Sequence, residues 1–145
     1  MADTIDRRTL SLEGAKKVLD AAIAEADRAG HRVSVAVLGS DARLLAFASM
    51  DGASMLSTET ARKKALTVIK VGKATSEFGA DLKSDLSSEP ELFHGMLGME
   101  GIAAFGGGVP IRVGGEIVGA VAVSGASSAE DDEIAIKAAR ALDQK

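Results

Sequence analysis

Apolar residues at Leu12, Ala15, Leu19, Ala22, Ile23 and Ala26 recur at the spacing that places side chains on one face of an α-helix. Ser11 stands where a hydroxyl can cap that helix, and Gly30 can close it in a left-handed conformation. From Val33 the period changes. Val33, Val35 and Val37 alternate with smaller residues, Gly39-Ser40-Asp41 supplies turn chemistry, and residues 44–48 are again apolar, so the two runs predict a β-hairpin. A second helix is expected over about residues 57–71.

The middle of the chain is less periodic. Residues 75–86 and 88–99 predict two short helices, the second capped by Ser88 with Pro90 tolerated in its first turn. Residues 102–105, 111–113 and 116–124 predict three strands, the last two joined by Gly114-Gly115 as a two-residue turn. Ser127 followed by Glu130 is a capping-box spacing and predicts a final helix through Leu142. The element order, with antiparallel runs between and outside helices, predicts a single α+β domain. At 145 residues and 46% hydrophobic, the chain is long enough to bury a core of its own.

Composition removes several function classes. There are no cysteines, which rules out disulfides, thiolate metal sites, iron–sulfur clusters and cysteine nucleophiles. The 17 basic and 21 acidic residues are dispersed, with no basic stripe, and Trp and Tyr are missing, so no nucleic-acid partner is expected. No apolar run approaches the ~20 residues that span a bilayer, and the first residues lack a signal-peptide core. A cytoplasmic protein with no membrane partner is the expectation.

The most informative local feature is Gly106-Gly107-Gly108 ahead of Val109-Pro110-Ile111. Three residues without Cβ let a backbone approach a ligand or a neighbouring chain closely; they also suit a bulge or a sharp crossover between strands. The run lacks the GxGxxG spacing and leads into a strand rather than a helix, so it is no nucleotide-binding fingerprint. Ser124-Gly125 has no Gly-x-Ser-x-Gly elbow, since position 122 is Ala.

Five short pieces, in order, carry a family resemblance: residues 33–37 with Leu44-Leu45-Ala46-Phe47; Met50-Asp51-Gly52-Ala53; Ala61-Arg62-Lys63-Lys64-Ala65; residues 106–111; and residues 118–125 with Glu130-Asp131-Asp132-Glu133. Over residues 10–142 the chain resembles the GlcG/HbpS family, also described as haem-degrading domains and found as the C-terminal part of PduO-type proteins. The resemblance implies a profilin-like five-stranded antiparallel sheet flanked by helices, and assembly into homo-oligomers. The alanine- and glycine-rich run 118–124 suits close packing at an interface or an internal helix–sheet contact equally. Two positions depart from the family pattern: Gly39 stands where an Asp is usual, and Ser49 where an Arg is usual. Their joint replacement points to a lost ion pair or anion contact.

Few side chains can do chemistry. His94 is one of two residues whose unperturbed titration lies near neutrality, suited to proton transfer or iron ligation, or simply a surface histidine. His31 follows the expected helix end, where a cation favours the dipole. Lys64 occupies the family's Lys-Ala pair and is expected to face inward as a point charge for a carboxylate, with Arg62 and Lys63 solvated. Asp51, Phe105, Gly106, Gly107 and Gly108 are the expected substrate-binding wall. The acids 130–133 are consecutive at a helix start, where they favour the dipole, so no metal site is expected there.

Two functions follow. The resemblance includes hydroxylaminobenzoate lyases, implying a cofactor-independent enzyme acting on a small aromatic carboxylate with His94 and Lys64 as catalytic residues. The alternative is a haem or tetrapyrrole-binding module, with Met96 and Met99 near the macrocycle.

Overall fold

The computed structural model describes residues 1–142. Its elements are α1 (Leu12–Arg28), β1 (Ser34–Gly39), β2 (Leu44–Ser49), α2 (Met55–Val71), α3 (Thr75–Asp85), α4 (Pro90–Leu97), β3 (Gly108–Val113), β4 (Glu116–Ser124) and α5 (Ser128–Ala139). The strands form one antiparallel sheet in the order β2-β1-β4-β3. The central strands β1 and β4 run in unbroken register from Ser34 opposite Ser124 to Gly39 opposite Gly119.

Alternation sorts the side chains into two layers. Val33, Val35, Val37, Val121 and Val123 point to one face and pack on α1 and α5. Ala36, Leu38, Ala120 and Ala122 point to the other and receive Ala61, Ala65 and Val68 of α2. Both faces of β1 are covered, so all six of its residues are buried. The small residues of β4 therefore serve an internal contact: alanines lie under α2, and a Cβ at Gly119 would meet the Leu38 carbonyl at 2.4 Å.

Local chemistry sets the boundaries. Ser11 and Ser54 accept backbone N–H groups three residues on, capping α1 and α2. Thus α2 begins two residues before the expected Ser57. Gly72 ends it in a left-handed conformation at φ 74°. Gly114 and Gly115 both take positive φ, as a type I′ hairpin turn demands. In α4 the N-cap is Glu89 rather than Ser88, and no side chain caps it; Pro90 occupies the first turn as expected. The last helix ends at Ala139, short of Leu142.

The expected five-stranded sheet is corrected to four strands, because residues 102–105 do not pair with the sheet. One of their backbone groups is satisfied elsewhere: the Thr67 hydroxyl accepts the Ala103 N–H at 2.9 Å and reaches the neighbouring Gly101 carbonyl at 3.1 Å. The Ala104 carbonyl lies so close to Gly79 of α3 that a Cβ there would be 2.2 Å from it. The Thr67 hydroxyl of α2 thus stands where a strand partner would for Ala103.

Positions 39 and 49 lie at opposite ends of the β1–β2 hairpin, since Ser49 faces Ser34, five residues from Gly39. At ~3.3 Å per residue that is roughly 16 Å, so side chains there form no ion pair with each other. Thr9 fills the space beside Gly39, its hydroxyl accepting the Ser40 N–H at 2.9 Å. Ser49 joins a hydroxyl chain with Ser34 at 2.5 Å and Thr58 at 3.1 Å.

Candidate functional site

Ser57, Ala61, Lys64, Ala65 and Val68 recur at the spacing of one helical face, so α2 carries a lysine into the core with its alanines. Arg62 is exposed and Lys63 pairs with Glu59 at 3.1 Å, leaving Lys64 as the inward member of the trio. Its side chain is 1% exposed. The Nζ donates to the Val123 carbonyl at 3.0 Å and to Asp131 Oδ2 at 3.2 Å, and lies 5.0 Å from the centroid of the Phe105 ring. Burial holds the Lys64 ammonium below the usual lysine range, against the pull of Asp131 and Asp132.

The glycine run packs against this lysine. Gly107 has φ 133°, and a Cβ there would lie 2.4 Å from the Val123 carbonyl and 2.6 Å from Lys64 Nζ. Gly106 abuts the Ser128 carbonyl, and Gly108 abuts the Lys64 carbonyl. All three glycines are buried, so the close backbone approach they permit is to α2, β4 and the start of α5. Phe105, at 46% exposure, is the outer member of the group.

Asp131 and Asp132 belong to this site and were not expected in it. Asp131 Oδ1 accepts the Ala126 N–H at 2.9 Å while Oδ2 takes Lys64; Asp132 Oδ1 accepts the Gly107 N–H at 3.4 Å. The signal lay in helical phase: Asp131 shares a face with Ile134, Ala135 and Ala138, whereas Glu133 points to solvent.

The remaining expected site residues lie elsewhere. Asp51 is exposed and lines a separate cleft of about 430 Å³ with Arg32, Ser49 and Met50. His94 is exposed on α4, its ring edge-on to Phe93 at 5.3 Å. Thus Lys64, Phe105 and Gly106 to Gly108 come together, while His94 and Asp51 stand apart from them. α4 is unusual in a second respect: Leu92, Phe93, Met96 and Leu97 make it apolar, yet none of its residues is buried. His31 pairs with Glu130 at 2.9 Å, tying the end of α1 to the start of α5.

Among the described residues, no cluster of three or more His, Asp or Glu has the arrangement of a metal site. Among the same residues, no helix is long and apolar enough to cross a membrane.

Residues 10–140 match the model of a family described as haem degrading protein HbpS-like. Among solved structures, the chain is similar to the protein ORFY of Klebsiella pneumoniae, with TM-score 0.87 and 25% identity over 97% of this chain and 95% of that one. HbpS itself superposes with TM-score 0.83 and 31% identity, over 97% of this chain and 95% of its own. PduOC, solved as a haem complex, gives TM-score 0.80 and 25% identity over 94% of this chain and 97% of its own. A match of this extent, on a fold that superposes across nearly the whole molecule, places the chain in the HbpS-like family.

Proposed function

We propose that this protein binds haem or a related tetrapyrrole on the exposed face of α4, with His94 as the iron ligand. The observation that carries the reading is a histidine on an apolar helix that buries none of its residues. A soluble domain rarely leaves such a face open unless something covers it. The family's description and the haem complex of PduOC support the same ligand.

The residues suit the group. A neutral imidazole donates a nitrogen lone pair to iron, and His94 is open to solvent. Leu92, Leu97 and Met99, at 36%, 46% and 54% exposure, offer apolar contact to a macrocycle. When bound, the group supplies an iron centre for ligand binding or redox chemistry. His94 would contribute a nitrogen to the iron, and Leu92, Leu97 and Met99 the apolar cover.

No comparable observation favours the lyase reading. It draws on Lys64 as a free anchor, whereas the charge of Lys64 is answered by Asp131, and on His94 beside it, whereas His94 lies on α4.

Titration of the protein with haemin, followed in the visible spectrum, tests the proposal. Wild type and His31→Ala should give a saturable Soret change at one haem per chain, and His94→Ala should lose or strongly weaken it. Equal titrations for wild type and His94→Ala overturn the assignment.

Self-association is part of the same reading, supported by Met55 and Leu56, large apolar side chains 93% and 67% exposed at the start of α2. Light scattering that returns the single-chain mass of 14.8 kDa overturns it.

A further inference from the structure

Glu59, Arg62, Lys63 and Leu66 recur at the spacing of one face of α2. Between that face and the β1–β2 turn lies a cavity of about 470 Å³, a size that accommodates small molecules. Its apolar side is formed by Leu38, Leu44 and Leu66. Leu38 is buried, Leu66 packs against the apolar layer beneath α2, and Leu44 is a large apolar side chain left 42% exposed. Ala42 adjoins them. At φ 68° it is the one non-glycine residue with positive φ among the described residues, in a conformation that glycine adopts without strain. The alanine keeps a methyl beside the cavity at a conformational cost.

The charges around the cavity are only half answered. Lys63 pairs with Glu59 at 3.1 Å, so these two satisfy each other. Arg62 and Glu100 also line the cavity, and among the described residues neither side chain has an ion-pair or hydrogen-bond partner. Lys70, a turn or two further along α2, donates to the Glu100 carbonyl at 3.0 Å, which ties residue 100 to the helix and leaves its carboxylate free. The cavity therefore offers one open cation, one open anion and an apolar wall.

We propose that this cavity binds a free amino acid with an apolar side chain: Arg62 takes its carboxylate, Glu100 its ammonium, and Leu38, Leu44 and Leu66 its side chain. The guanidinium presents paired N–H donors that match a carboxylate, and the Glu100 carboxylate accepts from an ammonium. The two open charges set the ligand class. A ligand with a carboxylate alone is attracted by Arg62 but repelled by Glu100, and one with an amine alone meets the reverse. A zwitterion satisfies both. Solvent screens these exposed charges, so apolar contact has to add to them, which the leucine wall supplies. The site includes no residue of α4, and its test does not depend on haem binding.

The experiment titrates the full chain, labelled with nitrogen-15, with L-phenylalanine at neutral pH and low salt, and follows the amide resonances. Those of Ala42, Leu44, Arg62 and Leu66 should shift and saturate. 3-Phenylpropionate, which lacks the amine, and 2-phenylethylamine, which lacks the carboxylate, should each bind several-fold more weakly. Glu100→Gln should remove the preference over 3-phenylpropionate, and Arg62→Gln the preference over 2-phenylethylamine. Both positions are exposed, so the fold survives either change. If the shifts fail to saturate or fall elsewhere on the chain, the proposal is overturned. It is overturned equally if phenylalanine binds no more tightly than its two fragments, or if the variants keep the preferences of the wild type.

Discussion

Lys64 and Asp131 meet 3.2 Å apart with side chains only 1% and 3% exposed, joining α2 on one face of the sheet to α5 on the other. The link passes beside the end of β4, where Lys64 also holds the Val123 carbonyl. Removing one partner leaves an uncompensated buried charge, which costs far more than the intact pair contributes. Asp131→Ala should therefore lower stability by about 3–5 kcal/mol in urea denaturation. The double variant Lys64→Met with Asp131→Leu should recover most of that loss, since neither charge then remains buried.

Gly107 makes room for that link. At φ 133° an L side chain is strained, and its Cβ would press on both the Val123 carbonyl and the Lys64 amine. Gly107→Ala should cost about 1–3 kcal/mol from strain alone, more with the clash. Gly95 in α4 makes the contrast: nothing lies within 4 Å of its Cβ position, so Gly95→Ala should stabilise by about 0.5–1 kcal/mol. Equal melting temperatures for the two variants would contradict this account of the loop.

The elements with strong periodicity were legible in the chain. α1, the two hairpins and the capping box of α5 follow from residues whose local preference and buried face agree. Residues 102–105 misled because they are apolar and bounded by glycines, and nothing in their own composition reveals that Thr67, some 35 positions earlier, accepts the Ala103 N–H. The inward turn of Lys64 was legible too, but its partner was not. Four consecutive acids look like dipole compensation until α5 is rotated against the sheet, which selects Asp131 for the interior. The small residues of β4 were ambiguous for the same reason: only the docking of α2 decides between an internal and an external surface.

Acid should destabilise the fold through paired carboxylates. Hydrogen bonds from Arg8 lower the pKa of Glu116, those from Ser127 lower that of Glu130, and Lys137 with Arg28 lowers that of Glu25. With folded values below the unfolded one, the unfolded chain binds more protons as pH falls. Their contribution is thus present above the unfolded carboxylate value of about 4.3 and is lost as pH drops through the folded values. Melting temperature should hold on the neutral side and fall below about pH 4.3. Glu116→Gln should make that acid limb shallower; an unchanged limb would show that the Arg8–Glu116 pair contributes nothing.

The start of α5 offers a test of how the Lys64 site is held. Ser127 accepts the Glu130 N–H at 3.2 Å, and Glu130 Oε1 accepts the Ser127 N–H at 3.1 Å, so each satisfies a donor that the helix leaves free. The second oxygen of Glu130 meets His31 Nε2 at 2.9 Å, fastening α5 to the end of α1. These contacts flank Asp131, so they fix the turn from which it reaches Lys64. Ser127→Ala removes the cap and should cost about 0.5–2 kcal/mol at any ionic strength. Glu130→Gln keeps an oxygen for the box but loses the charge that meets His31, so its smaller cost should fade as salt rises. Denaturation of both variants in low and high salt at pH 6 separates the two terms. A loss for Glu130→Gln that is as large as for Ser127→Ala and insensitive to salt would show that the charge plays no part in holding α5.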